Sequence, residues 1–149
     1  MTGALYFDDF KPGDRFESAT LTMTQELIVE YARFYDPQPF HTDPEAASRT
    51  LYGGLIASGL QTIGLSFKLF VETGVLSACS LGSPGLDEVR WRAPVRPGDT
   101  LRVVAEVLEA RPSTSKPDRG IVRILYTTLN QRGEVVASLI GNQLCRRRP

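Results

Sequence analysis

Tyr52-Gly53-Gly54-Leu55-Ile56-Ala57-Ser58-Gly59-Leu60, continued by a mostly apolar run to Val71, is the stretch on which the fold turns. Ile56, Leu60, Ile63, Leu65, Phe67, Leu69 and Phe70 fall on nearly every side of a helix of that length, which predicts burial all round over Leu55–Val71. Ser58, Gln61, Thr62, Ser66 and Lys68 interrupt the run, and it falls short of an unbroken span of bilayer length, so it predicts a core helix and not a membrane segment. After Gly74 the pattern changes to short alternating runs, with strands expected near 86–93, 101–109, 120–130 and 134–145. Arg96-Pro97-Gly98-Asp99, Pro117-Asp118-Arg119-Gly120 and Gln131-Arg132-Gly133 punctuate them as turns. One buried helix followed by successive antiparallel strands is best satisfied by a curved sheet wrapped around that helix, an α+β arrangement in two layers. No repeat, low-complexity tract or linker interrupts the sequence, and residues 1–149 are expected to form one domain.

Upstream of the decisive stretch, Lys11-Pro12-Gly13-Asp14 reads as a turn and Arg15 to Met23 as a strand. Thr24 is placed to cap a helix whose first turn holds Gln25 and Glu26, with Leu27, Ile28, Tyr31, Ala32 and Tyr35 at helical spacing on one face. Pro37 disfavours helical geometry in the residue before it, so that helix should stop at Asp36. From Asp36 to Asp43, two prolines and no period predict a fixed, irregular loop. Asp43 then caps a short helix with Pro44 at its first position.

Lys+Arg and Asp+Glu both number 17, so no overall field favours nucleic acid or an acidic membrane. The first ten residues lack a basic start and an apolar stretch, which argues against a secretory signal and for a soluble, cytoplasmic protein. Cys79 and Cys145 have no metal-ligand spacing and read as reduced, ordinary residues. With one histidine in the chain, a His-rich metal site is excluded.

Asp36 and His41 are the two groups best suited to proton work, five positions apart in a segment stiffened by Pro37 and Pro39. A histidine can take a proton from water at neutral pH, and a neighbouring carboxylate can orient that water or stabilise the imidazolium. A structural role competes, in which Asp36 ends a helix and His41 satisfies a loop carbonyl. The small residues from Gly53 to Gly59 offer a second feature. A helix beginning there leaves backbone N–H groups free at the positive end of its dipole, able to polarise a carbonyl oxygen. A tight turn and close helix packing account for the same glycines.

Phe34-Tyr35-Asp36-Pro37-Gln38-Pro39-Phe40-His41-Thr42-Asp43-Pro44-Glu45-Ala46-Ala47 resembles the hydratase motif of MaoC-like dehydratases and (R)-specific enoyl-CoA hydratases, where an aspartate and a histidine five residues later flank an Asn-Pro step. The resemblance continues through Tyr52–Leu60, similar to that family's approach to its central helix, and through Pro94-Val95-Arg96-Pro97-Gly98-Asp99, similar to the turn before its later strands. It implies a hot-dog fold and a carbon-oxygen lyase that reversibly adds water across the double bond of a 2-enoyl thioester. By that likeness Asp36 and His41 hold one water, one of them takes its proton as the oxygen attacks the β-carbon, and the Gly59 N–H binds the thioester carbonyl. No metal or redox cofactor is implied, coenzyme A being part of the substrate. Gln38 stands where the motif usually has asparagine, and Ser58 where a histidine often precedes the helix glycine. Both are expected to tune the pocket, with Gly54, as substrate-binding residues, without touching the dyad.

Lys116 and Arg119, in a polar stretch between strands, are weaker candidates for the substrate's phosphates. Arg146, Arg147 and Arg148 fit a solvated terminus better than a phosphate arm. Trp91 alternates with charged neighbours as core or interface packing would require. Ser66 and Ser115 have no spare base for a serine triad. A hot-dog sheet leaves an open edge, so a homodimer or higher homo-oligomer is expected; the resemblance implies a site where two protomers meet and an acyl-CoA or acyl-carrier-protein thioester as ligand. Two rivals stand beside the hydratase: a hot-dog thioesterase, against which the Asp36-to-His41 spacing speaks, and a non-catalytic acyl-CoA-binding module.

Overall fold

The computed structural model describes residues 3–149, so the part of the N-terminal expectation that rests on Met1 and Thr2 lies outside them. Thr24 Oγ1 accepts from the Leu27 N–H at 3.1 Å and starts α1 (Gln25–Tyr35), which closes at Asp36. Of its expected apolar face only Ile28 and Ala32 are buried. Leu27 and Tyr35 are exposed, because the helix lies on the surface and a single turn-spaced pair meets the core. The Asp36–Asp43 segment is more regular than expected: Pro39 at the first position opens α2 (Pro39–Thr42), since its fixed φ suits a helix start. Asp43 then caps α3 (Pro44–Ser48), its Oδ1 accepting from the Glu45 and Ala46 N–H groups at 3.0 and 3.2 Å.

The central helix, α4 (Gly59–Val71), begins four residues later than its apolar run. Leu55–Ser58 approach it in non-helical form, held by the Ala57 N–H on the Val95 carbonyl at 2.8 Å. Burial is one-sided, contrary to expectation. Gln61, Thr62, Ser66, Leu69 and Phe70 face inward, while Leu60, Phe67 and Val71 are exposed at 57%, 40% and 46%. Most of the inward polar groups are paired: Ser66 Oγ donates to the Thr62 carbonyl and pairs with Thr128 Oγ1, each at 2.6 Å, and Gln61 Nε2 donates to the Leu27 carbonyl at 2.8 Å, while Gln61 Oε1 has no partner among the described residues. Period alone does not distinguish a helix covered on all sides from one whose outer face is bare.

The strands are β1 (Arg15–Glu17), β2 (Leu21–Thr22), β3 (Leu86–Trp91), β4 (Thr100–Pro112), β5 (Arg119–Leu129) and β6 (Val135–Arg146). Their order is β1-β4-β5-β6-β3, with β2 also on β4, and every pairing is antiparallel. The expected Arg15–Met23 strand is therefore two, broken where Ser18 turns its Oγ to accept from the Val103 N–H at 2.8 Å. Alternation is strict in β5, whose Val122, Ile124, Tyr126 and Thr128 are buried. Leu69 and Phe70 of α4 pack against this face together with Val103, Val107 and Leu139. Full burial of a side chain such as Phe70 contributes about 1.5–3 kcal/mol. A second cluster of Met23, Ile28, Leu55, Ala57, Val95 and Leu101 fixes the α1 side, giving the α+β hot-dog arrangement of an antiparallel sheet around one central helix.

The basic tail is exposed at Arg146 and Arg148, as a solvated terminus would be, but it is tethered to the body of the fold. The Arg148 N–H donates to Asp8 Oδ2 at 3.0 Å, its guanidinium meets Asp9 and lies 4.9 Å from the Tyr6 ring centroid, and Arg147 stacks over Phe7. Pairing of β6 out to Arg146 delivers these arginines to the acidic 3-10 turn Phe7–Asp9. Cys79 and Cys145 are buried free thiols. No helix among the described residues is long and apolar enough to cross a membrane, and no group of three metal-ligating side chains is found among them.

Candidate active site

Pro37 ends α1 and Pro39 starts α2, so the chain reverses within a few residues and turns Asp36 and His41 toward each other. Asp36 Oδ2 lies 3.2 Å from His41 Nε2. A reciprocal tie positions the imidazole: the Ile56 N–H donates to the Phe40 carbonyl at 3.1 Å, and His41 Nδ1 lies 2.7 Å from the Ile56 carbonyl oxygen. A carbonyl can only accept, so Nδ1 carries a hydrogen and Nε2 is the atom offered to Asp36. The Phe40 ring meets the imidazole edge-on at 4.5 Å between centroids.

Asp36 is held by two further donors. Gln38 Nε2 donates to Oδ1 and Ser58 Oγ to Oδ2, each at 2.7 Å. This corrects the expectation that Gln38 and Ser58 stand apart from the dyad. Ser58 is fully buried and spends its hydroxyl on the carboxylate. Burial pushes the Asp36 carboxyl up, but the hydrogen bonds from Gln38 and Ser58 and the charge of His41 outweigh it and leave the group below the usual carboxylate range. Asp36 is therefore an anion at neutral pH. Its carboxylate reaches the cavity with 18% of the side chain exposed, against 5% for His41.

That cavity has a volume of about 430 Å³, and Asp36, Gln38, His41 and Gly59 all line it. Gly59 is the first residue of α4, and its N–H has no acceptor among the described residues. Gly54 does not line the cavity; it follows Gly53, whose φ of 66° is the left-handed geometry a turn glycine supplies. Lys116 and Arg119 do not line it either, and the Arg119 guanidinium is engaged by Asp118 at 2.9 Å. The arrangement joins an anionic carboxylate, an imidazole and a free helix N–H around one space, the parts required to move a proton on and off a carbon next to a carbonyl.

Other lining residues escaped the sequence reading. Tyr52, Leu60 and Thr62 supply wall, and Trp91 and Arg92 come from the end of β3. Trp91 is not core packing: it is half exposed and its ring lies on Gly59. No spacing in the sequence connects positions 59 and 91; the contact is made by sheet register.

Residues 9–128 match the MaoC like domain family. The protein YdeM of Bacillus subtilis (strain 168) is 34% identical over 125 residues, 84% of this chain and 87% of its own. The 3-hydroxybutyryl-CoA dehydratase of Methylorubrum extorquens is 33% identical over 113 residues, 72% of this chain and 67% of that enzyme. Among solved structures, the MaoC-like dehydratase from Rhodospirillum rubrum superposes with a TM-score of 0.91 at 42% identity, covering 98% of this chain and 99% of its own. With the match spanning both the Asp36–His41 segment and the strands that hold it, the chain belongs to the family of MaoC-like dehydratase domains.

Proposed function

We propose that this protein is a hydro-lyase that reversibly adds water to a 2-enoyl thioester, with Asp36 and His41 as its proton-transfer pair. The observation that carries the reading is the 3.2 Å approach of Asp36 Oδ2 to His41 Nε2 beside the cavity that Gly59 also lines. Hydration forms a C–O bond at the β-carbon and a C–H bond at the α-carbon, and breaks one O–H bond of water. A base must therefore accept a proton at one site while an acid delivers one at the other. Asp36, an anion, accepts from the attacking water; protonated His41 delivers from Nε2 to the α-carbon. The proton left on Asp36 then crosses to His41, which resets the pair with no net change. The Gly59 N–H receives the thioester oxygen as it gains negative charge during attack. The name of the Methylorubrum relative, a dehydratase of a CoA thioester, supports the same substrate class.

The bare face of α4, with Leu60, Phe67 and Val71, and the free outer edge of β3 support a homodimer in which the protomers cover each other near the site. The test follows the ultraviolet absorbance of conjugated enoyl-CoA thioesters mixed with the protein, with Asp36→Asn and His41→Gln alongside. Loss of conjugation without free thiol, abolished by both substitutions, is the expected result. Release of free thiol would make the protein a thioesterase, and binding without either change a non-catalytic module.

A further inference from the structure

A bulge in β3 decides which face of the sheet Trp91 occupies. Between the pairs Asp87↔Ile140 and Arg90↔Ser138, β3 contains one residue more than β6. Side chains alternate with a period of two, so the extra residue exchanges the faces of everything beyond it. Trp91 therefore stands opposite Ala137, which shares its buried, helix-side face with Leu139 and Gly141. Without the bulge it would point to the other side. Glu88, inside the bulge, holds a φ of 52°, the left-handed region that non-glycine residues seldom occupy. Backbone strain of this kind collects where a structure uses it to aim a side chain.

Brought to the helix side, the indole covers Gly59. A Cβ on Gly59 would lie 2.4 Å from Trp91 Nε1 and 2.5 Å from Cε2, so only glycine leaves the ring room. Nε1 is thus the indole atom nearest that missing side chain, and its hydrogen has no acceptor among the described residues. The ring lines the same cavity as Asp36 and His41. A carbonyl oxygen has two lone pairs, and a single N–H from Gly59 serves one of them.

We propose that Trp91 contacts the substrate directly: its ring forms the part of the cavity wall that covers Gly59, and its Nε1–H supplies a second hydrogen bond to the thioester carbonyl oxygen beside the Gly59 N–H. This rests on the hydro-lyase reading above. Two donors on one oxygen stabilise the charge that develops there during attack more than either does alone, so the effect belongs to turnover rather than to ground-state binding.

Trp91 is the chain's one tryptophan, so its emission reports this ring alone. The experiment titrates the whole protein with butyryl-CoA, which binds but has no double bond to hydrate, and records tryptophan emission and calorimetric heat in parallel. It then compares kcat and KM for crotonyl-CoA between wild type and Trp91→Phe, with thermal unfolding of both. The expected result is an emission change that saturates with the heat, and a fall in kcat of about 10- to 100-fold in Trp91→Phe with KM changing less than about threefold. Heat without an emission change overturns the proposal, as does wild-type kcat in Trp91→Phe; either leaves the hydro-lyase reading standing. Absence of both heat and turnover with every thioester removes the reading and the proposal together. If Trp91→Phe fails to fold, the emission measurement on the wild-type protein decides.

Discussion

The two walls of the cavity are built by opposite means. The Asp36–His41 wall is local: two prolines fold a short segment, and Gln38, Ser58 and the Ile56 carbonyl lock the two side chains with hydrogen bonds of 2.7 Å. The Gly59–Trp91 wall joins positions far apart in sequence, and an indole resting on a glycine gives it shape without a hydrogen bond between protein groups. Saturated hydrogen bonding makes the first wall rigid and chemically tuned. A half-exposed ring packed on backbone leaves the second free to yield to a ligand.

The largest break of this contrast is on the first wall. Asp36→Asn and His41→Gln should each lower kcat by about 10²- to 10⁴-fold while the fold survives, checked by hydratase assay and circular dichroism. On the second wall, Gly59→Ala places a methyl where the indole lies, and kcat/KM is expected to fall about 10- to 100-fold with little loss of thermal stability, because the exposed ring can swing out. Adding Trp91→Ala should make the pair less than additive, since the collision then has no partner.

Ser58→Ala sharpens the comparison by detuning the first wall without removing its chemistry. It takes a donor from Asp36 Oδ2 and should cost about 1 kcal/mol of stability, measured by denaturant unfolding. A carboxyl held below its ordinary value stabilises the fold fully above that value and loses the contribution as pH falls through the lowered one. Ser58→Ala moves the lowered value up, so the acid limb of kcat/KM and the acid loss of stability should both shift to higher pH. The smallest effect is expected from Lys116→Ala, which stands outside the cavity: KM should stay within about twofold of wild type, and a larger rise would place the thioester's phosphates at that turn.

The contrast also separates what was legible in the sequence. Thr24 and Asp43 act through bonds to residues two or three places away, Pro37 through its clash with the residue before it and Pro44 through its own fixed φ, so their caps and stops follow from residue type alone. The same locality brought Asp36 and His41 into view. The positions of the later strands followed from alternation and turns, their ends moving by only a few residues, but β3 pairs with β6 and not with the β4 that follows it in sequence. Hidden from that reading were features set by tertiary register: the break of the first strand at Ser18, the bare side of α4, and the path of the tail onto Asp8 and Asp9. Ser58 illustrates the difference best. It looks like one more small residue before a helix, and its bond to a carboxylate 22 positions upstream exists only once α1 and α4 are docked.

The buried contact between Ser66 and Thr128 sets the phase of the central helix against the sheet. Apolar side chains tolerate sliding and small rotations; two hydroxyls 2.6 Å apart do not, because a slip leaves the Thr128 hydroxyl without a partner in a dry interior, Ser66 keeping its bond to the Thr62 carbonyl. Ser66 lies seven residues from Gly59, about 10 Å along the axis. If Gly59 serves as proposed, a tilt of a few degrees at this pin would move the free N–H at the helix end by up to about 1 Å relative to the thioester oxygen. On that reading the aim of the helix end is held two turns away, by a pair of small alcohols that do not line the cavity.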